Sequence, residues 1–337
     1  MEGEMIMEKQ ILKLSHVTRE FELKSGEKLR AVTDVSLSVG QGEFVFVAGE
    51  SGCGKSTLVK MAALLEPVTQ GRILFEGEDV TGLRGKGLRQ YRRQVQIVLQ
   101  DPENVCGPRM KVGRFLMEPW INFERKSRKE ARDMALYSLE RVGLSEEFFH
   151  RYPHQLSGGQ LQRVSIARAI ALHPRLLICD EATSALDVSV QRQILELLKE
   201  HQRETGYGVL FICHDLAVAE ALGTRVAVMY LGRVVEIMEL KEGESLKKTA
   251  RHPYTKALLA STLSVQDDPE ELWQIISGEP PSPVRIPEGC GFCERCVERM
   301  ERCQKERPEL GKVGGGHWVA CFKGHESAAA ENAPFHD

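Results

Sequence analysis

An apolar run, EFVFVAG from Glu43, ends in the glycine-rich turn GESGCGKST (residues 49–57), and a helical pattern follows from Lys55 to Leu65. This strand–turn–helix order constrains the chain more than any other feature. It is α/β grammar, in which a buried strand hands the chain to a helix that packs back on the sheet. The turn fits G-x-x-x-x-G-K-[ST], where backbone N–H groups and the start of the helix surround phosphate oxygens. Glycine lets the backbone approach without a Cβ in the way. The pattern assigns phosphate contact to Gly49, Glu50, Ser51, Gly52, Cys53, Gly54, Lys55, Ser56 and Thr57. Lys55 would reach the β- and γ-phosphates, and the Ser56 hydroxyl would bind Mg²⁺. A chance glycine-rich turn is the bland alternative; the strand before it and the helix after it argue against that.

A second half of such a site lies downstream in LLICDEATSALD. An apolar strand ends in two carboxylates. Asp180 would hold Mg²⁺, and Glu181, beside the γ-phosphate region, would polarise an attacking water. A carboxylate pair at a strand end could also be solvated and idle, but not readily at this distance behind a phosphate-binding loop. Further on, LSGGQ opens the helical run LQRVSIARAI. It sets Ser157, Gly158, Gly159 and Gln160 at a helix N-terminus, again an anion site. Within one chain a second phosphate-binding turn is redundant, whereas a second copy of the fold can use it.

The rest of the chain frames these motifs. ILKLSHV near Ile11, VTDVSLSV from Val32, VQIVLQ from Val95, LLICD and GVLFIC read as strands. From Val112 to about Leu172 the spacing is helical. The core is therefore predicted as a parallel sheet interrupted by a helical insert. The chain has 337 residues, enough for one large domain and an appendage. Its net charge of −3 gives no basic footprint for nucleic acid. MEGEMIMEKQ at the start is acidic and has no apolar h-region, so no secretory signal is expected. No 18-residue apolar stretch occurs, so any membrane link must run through partner proteins.

The motifs together, in this order and spacing, resemble the nucleotide-binding domain of ABC ATPases over about residues 11–239. The resemblance implies a P-loop α/β core with a helical subdomain, and ATP with Mg²⁺ as ligands. It implies that Gln100, in LQDP, senses Mg²⁺ and water, so the Mg²⁺ set becomes Ser56, Gln100 and Asp180. It implies that His214, in FICHD, contacts the γ-phosphate, and that Asp187, in SALD, links the two sites of a dimer. Phe21, in REFEL, is the candidate aromatic for stacking on adenine. Glu181, His214, Gln100 and Lys55 form the catalytic set. The implied mechanism is a head-to-tail dimer, with ATP between Lys55 of one chain and the Ser157 turn of the other.

HPYTKALLAS from His252, SGEPPSPVRIPEGCGF and HWVAC resemble the C-terminal extension of oligopeptide/dipeptide importer ATPases, a subfamily that also includes nickel importers, and most closely the F-type subunit. The resemblance divides the chain into a nucleotide-binding domain over 8–245, with its helical subdomain at about 101–174, and an extension over 246–325. A disordered tail is expected over 326–337. The implied partners are a second ABC ATPase subunit in a heterodimer, two permeases and an extracellular binding protein, at the cytoplasmic face of the cell membrane. A soluble ABC ATPase acting on nucleic acid or ribosomes is the alternative from another class; such proteins usually carry two cassettes or long coiled coils, and this chain has neither. A metal- or redox-responsive module is a third reading, motivated by cysteine count alone. Two departures stand out: QDPENVCGPRM replaces a small-residue, Asn-Pro-Arg-Met run, and Val297 stands where proline is usual.

Five of the nine cysteines crowd into the last 48 residues. In a reducing compartment this reads as a metal site before it reads as disulfides. Cys290, Cys296, Cys303 and Cys321 resemble four cysteines that hold a [4Fe–4S] cluster in some members of the importer family. Zinc is the alternative for four thiolates. Cys293 gives C-x-x-C-x-x-C spacing and is a substitute for one of the four. The metal would supply folding energy to a segment with few apolar residues.

Overall fold

The computed structural model describes residues 10–102, 105–183, 186–213, 215–241, 243–261 and 278–331. A long hairpin opens the chain, β1 (Gln10–Glu22) with β2 (Lys28–Gly40). β3 (Phe44–Ala48) leads through the glycine-rich turn into α1 (Lys55–Ala62). β4 (Gln70–Phe75), β5 (Glu78–Asp79), α2 (Gly85–Gln94) and β6 (Val95–Val98) follow. Then come α3 (Val112–Asn122), α4 (Arg128–Arg141) and α5 (Gly158–Ile170). The chain returns to strand–helix alternation with β7 (Leu176–Cys179), α6 (Val188–Thr205), β8 (Gly208–Ile212), α7 (Leu216–Leu222), β9 (Arg225–Tyr230) and β10 (Arg233–Glu239). The C-terminal region holds α8 (Leu246–Thr249), α9 (Pro253–Ala260), α10 (Arg302–Lys305), β11 (Gly311–Gly314), β12 (His317–Val319) and α11 (Phe322–Glu331).

Two sheets result. β2-β1-β4-β5 is antiparallel, and the main sheet runs β11-β12-β10-β9-β3-β8-β7-β6. β9, β3, β8, β7 and β6 are parallel, as continuous apolar strands buried on both faces should be. Side chains alternate across the sheet and feed two cores. Phe44, Phe46, Leu177, Cys179, Val209 and Phe211 face the layer containing α3 to α7. Val45, Val47, Leu176, Ile178, Leu210 and Ile212 face α1 and the β1–β2 hairpin. The Phe44, Phe46 and Phe211 rings pack with centroids 4.9 and 5.3 Å apart along that series. α3, α4 and α5 fill the stretch between β6 and β7, the helical insert that the sequence predicts. Ser127 starts α4 with a reciprocal capping box to Glu130.

The C-terminal region does not stand apart from the core. β12 pairs antiparallel with β10, Glu236 opposite Val319 and Met238 opposite His317, so the hairpin β11–β12 extends the main sheet. Glu236 is fully buried and latches this join. Its carboxylate accepts the backbone N–H of Arg251 at 2.7 Å, that of His252 at 3.2 Å, and His317 Nε2 at 2.7 Å. The tail expected to be disordered from residue 326 is instead helical as far as Glu331, because α11 continues through the Ala328–Ala330 run, and alanine is the strongest helix former. Residues 332–337 of that expected tail lie outside the described residues. Among the described residues, no helix is long and apolar enough to cross a membrane.

Glu236→Ala removes one acceptor from three donors at a buried join. It is expected to lower the unfolding free energy by about 2–4 kcal/mol, measured by urea denaturation, with Glu236→Gln closer to wild type. Equal midpoints for wild type and Glu236→Ala would mean that the latch contributes nothing.

Candidate active site

At the end of β3 the backbone turns at Gly49, with φ of +147°. A Cβ there would lie 2.3 Å from the Met229 carbonyl oxygen of β9, and one on Gly54 (φ +106°) would lie 2.2 Å from the Ala31 carbonyl of β2. Both positions exclude any side chain, so close approach accounts for two of the motif's glycines. Gly52 has open space around it and is required only by its left-handed φ of +78°.

Lys55, first residue of α1, is 4% exposed. Its Nζ donates to the carbonyls of Gly49 at 2.7 Å and Glu50 at 2.9 Å. The ammonium thus rests on its own loop. Engaging a phosphate exchanges neutral acceptors for charged ones, which bind it more strongly. Ser56 Oγ donates to Asp180 Oδ1 at 2.8 Å. Asp180, the residue after β7, is 3% exposed, and burial raises its pKa against the opposing pull of the Ser56 hydrogen bond. A buried carboxylate held by a neutral hydroxyl is under-compensated. The hydroxyl and carboxylate together are the hard oxygen donors that suit Mg²⁺.

Glu181, the next residue, takes φ of +48°, uncommon for a residue with a side chain. The kink gives consecutive carboxylates different partners: Asp180 meets Ser56, while Glu181 Oε2 accepts from Gln100 Nε2 at 2.7 Å. Gln100 follows β6. The ends of β3, β7 and β6 therefore deliver Lys55 and Ser56, Asp180 and Glu181, and Gln100 to the carboxyl edge of the parallel strands, the ligand edge of such sheets. Ser51, Gly52, Cys53 and Thr57 complete the loop, Cys53 buried and Ser51 and Gly52 exposed. His214 lies outside the described residues. Phe21 pairs with Leu29 across β1–β2, two residues from the Ala31 that backs Gly54, and the Arg19 guanidinium lies 4.4 Å over its ring.

The LSGGQ turn is elsewhere. Ser157 caps α5 and forms a capping box with Gln160, at 3.3 and 3.0 Å. Ser157 and Gly158 are exposed. A Cβ on Gly159 would stand 3.3 Å from Leu186, so the turn packs beside the loop of Asp187. Asp187 caps α6, accepting from Ser189 Oγ at 2.6 Å and the Val190 N–H at 2.9 Å; the Ser189 bond is the larger cause of its lowered pKa. Among the described residues, no side-chain hydrogen bond ties Ser157 or Gln160 to the Lys55–Asp180 site.

Comparison with known proteins decides the family. Residues 32–184 match the ABC transporter family, and residues 238–303 match the oligopeptide/dipeptide transporter C-terminal region. The chain is 46% identical to the probable peptide ABC transporter ATP-binding protein y4tS of Sinorhizobium fredii, over 96% of this chain and 93% of that one. It is 41% identical to the di/tripeptide transport ATP-binding protein DppF of Pseudomonas aeruginosa, over 92% and 97%. The chain belongs to the ATP-binding subunits of the oligopeptide/dipeptide ABC transporter family. Among solved structures, it is similar to the dimeric ATP-binding cassette MJ0796 in a post-hydrolysis state with ADP and Pi. There the identity is 32% and the TM-score 0.64, over 68% of this chain and 99% of that one. As an ABC ATPase it hydrolyses ATP.

In this ABC ATPase the five C-terminal cysteines line one small cavity of about 20 Å³, together with His252, Phe292 and Met300. Burial raises the Cys290 thiol to about 11, and the sulfurs of Cys303, Cys321 and Cys296 push it the same way. Cys296, also raised to about 11 by burial, feels Cys321 and Cys303; Cys321 feels Cys303. The four expected thiols thus share one buried pocket. Cys293 feels only Cys303 among them. Among the described residues, no three His, Cys, Asp or Glu side chains gather tightly enough to hold a metal ion. Val297 is 82% exposed beside them.

Sequence reasoning gave no role to Tyr254 and Arg295, which reach the phosphate-binding loop from the C-terminal region. The Glu50 N–H donates to the Tyr254 hydroxyl at 2.8 Å, and Arg295 holds the Glu50 carboxylate. HPYT carried the family resemblance without disclosing what its tyrosine touches, and Arg295 is hidden inside the cysteine spacing.

Proposed function

We propose that this chain is the ATPase subunit that powers import of oligopeptides or dipeptides. The observation that carries the reading is the match of residues 238–303 to the oligopeptide/dipeptide C-terminal region, joined to near full-length similarity to relatives named for peptide transport. It works with a second ABC ATPase subunit, two permeases and an extracellular binding protein. It sits at the cytoplasmic face of the membrane, held there by the permeases.

Lys55 moves from its loop carbonyls to the β- and γ-phosphates of ATP, and Phe21 stacks on the adenine. Ser56, Asp180 and Gln100 would hold Mg²⁺, which would supply charge neutralisation at the phosphate oxygens. Glu181, oriented by Gln100, takes a proton from the attacking water. The water oxygen bonds to the γ-phosphorus, and the bond to the β–γ bridging oxygen breaks, leaving ADP and phosphate. His214 and Lys55 stabilise the charge developing on the γ-phosphate. The Ser157–Gln160 turn of the second subunit closes the site, and Asp187 links the two sites. Support for this pairing comes from the exposure of Ser157 and from its side chain being engaged, among the described residues, only in the local capping box with Gln160.

Cys290, Cys296, Cys303 and Cys321 would hold the [4Fe–4S] cluster that the family resemblance implies, and it would supply folding energy to this segment. Cys293 lines the same cavity and is the substitute for one of the four. A single zinc ion draws four sulfurs to about 3.8 Å of each other; a cluster spaces its cysteines with its own sulfide. The preference for the cluster over zinc rests on the family resemblance, because thiols lining one cavity suit either group.

Glu181→Gln is expected to lower ATP turnover by ~10²–10⁴-fold while ATP binding persists and a closed dimer accumulates, read by phosphate release and gel filtration. Normal hydrolysis by this variant would remove Glu181 from the mechanism. Ser157→Arg should leave ATP binding at the same chain's Lys55 intact while disabling the opposite site; loss of binding at its own loop contradicts the head-to-tail arrangement. For the cysteines, anaerobic purification with iron, sulfide and zinc analysis should give four iron and four sulfide per chain. Stoichiometric zinc without sulfide would replace the cluster with zinc, and no metal would eliminate the site. Uptake of labelled peptides by a deletion strain, restored by this gene and not by its Glu181→Gln form, tests the transport reading.

A further inference from the structure

The phosphate-binding loop is held from outside the ATPase core. Its second residue, Glu50, is gripped at three points. The backbone N–H donates to the Tyr254 hydroxyl at 2.8 Å. The carbonyl accepts Lys55 Nζ at 2.9 Å. The carboxylate receives a two-point contact from Arg295, Nη1 to Oε2 at 2.7 Å and Nη2 to Oε1 at 2.8 Å. Two of the three partners belong to the C-terminal region, and the hydrolysis steps use neither.

The Arg295–Glu50 pair differs from a surface ion pair, which contributes little. Arg295 is 5% exposed and Glu50 26%. The guanidinium also donates to the Tyr230 hydroxyl at 3.2 Å and lies over the rings of Tyr230 and Phe292, 5.7 and 5.9 Å from their centres. Tyr230, Tyr254 and Phe292 form one aromatic cluster, so the arginine is seated on a rigid surface. A planar two-point contact fixes orientation as well as distance, which lysine cannot reproduce. The carbonyl of this same Glu50 is one of the two groups on which the Lys55 ammonium rests. Where Glu50 stands therefore decides where Lys55 starts from and how residues 49–55 are shaped around a phosphate.

We propose that Arg295 is a positioning residue for ATP: it locks Glu50 and holds the phosphate-binding loop in its receiving shape, making the cysteine-rich segment a support of the nucleotide site. It touches no substrate and acts through Glu50. Arg295 ends the 3-10 turn Cys293–Arg295, so the fold of that segment sets its place. The inference rests on the ATPase reading and not on the metal reading.

The test compares full-length wild type with Arg295→Ala, Arg295→Lys, Glu50→Gln and the double variant Glu50→Gln/Arg295→Ala. Each is titrated with ATP and Mg²⁺, assayed for turnover, and melted without nucleotide. Arg295→Ala should raise Kd and KM for ATP about tenfold, the scale of losing one charge-assisted contact, with kcat at saturating ATP near wild type, and Glu50→Gln should raise Kd for ATP by a similar factor. Arg295→Lys should recover part of the loss, and the double variant should be no worse than the worse single one, because one contact is being removed twice. Should Arg295→Ala fail to fold, Glu50→Gln decides, since it leaves the cysteine segment untouched: weaker ATP binding supports the proposal and wild-type affinity overturns it. Wild-type affinity in a folded Arg295→Ala, or additive losses in the double variant, overturn it too. A wild-type chain that binds no ATP sinks the ATPase reading itself and this inference with it.

Discussion

The carbonyl oxygen of Met229 stands where a side chain on residue 49 would have to go, and the nucleotide site is built around that approach. β3 lies between β8 and β9 in the main sheet, its five residues all buried. Alternating side chains commit it to both cores, so its exit point cannot shift without disturbing either. The chain leaving it must turn at once, against a neighbouring backbone, and only glycine can. That turn brings the N-terminus of α1 back to the strand ends, where β7 and β6 deliver Asp180, Glu181 and Gln100. The catalytic geometry follows from strand order more than from any single side chain.

The C-terminal region depends on the core for its stability. Among the described residues, its own apolar cluster amounts to Val313 and Val319, with Cys321 packed against them. Two buried aliphatics contribute little against the conformational entropy of residues 302–331. It therefore borrows a sheet edge from β10, a carboxylate from Glu236 and an aromatic surface from Tyr230. Phe292, from the cysteine segment, and Tyr254, from α9, are part of the main core cluster. In return the region holds Glu50 of the phosphate loop at two points, so that support runs in both directions between core and extension.

What was legible in the sequence divides along the range of the interactions. β3, β7 and β8 are unbroken apolar runs, and local pattern suffices to find them. Lys55, Ser56 and Asp180 sit in motifs whose spacing carries their chemistry, and the Ser56–Asp180 contact puts them together. Gln100 and Asp187 came from resemblance, since one glutamine after a short strand and one aspartate before a helix carry no signal of their own. β12 is three residues long, too short for periodicity, and it exists because β10 offers it an edge. Glu236 sits between Val235 and Ile237 in β10 and is fully buried only because donors arrive from residues 251, 252 and 317. Arg295 lies between two cysteines, where the spacing of the thiols draws attention from it.

The position of the signature turn has its own consequence. Ser157 is exposed, and its capping box with Gln160 satisfies the helix start without help from the rest of the chain. A preformed, solvent-facing helix N-terminus needs no reorganisation to receive an anion. The same turn packs at Gly159 against Leu186, and the next residue, Asp187, caps α6. Asp180 and Glu181, which follow β7, are thus close in sequence to the loop beside the turn. In the head-to-tail arrangement proposed above, movement of the carboxylates around one nucleotide would be transmitted along this short stretch of chain to the surface that meets the other. Coupling between the two sites then needs no long-range path, because one segment belongs to both.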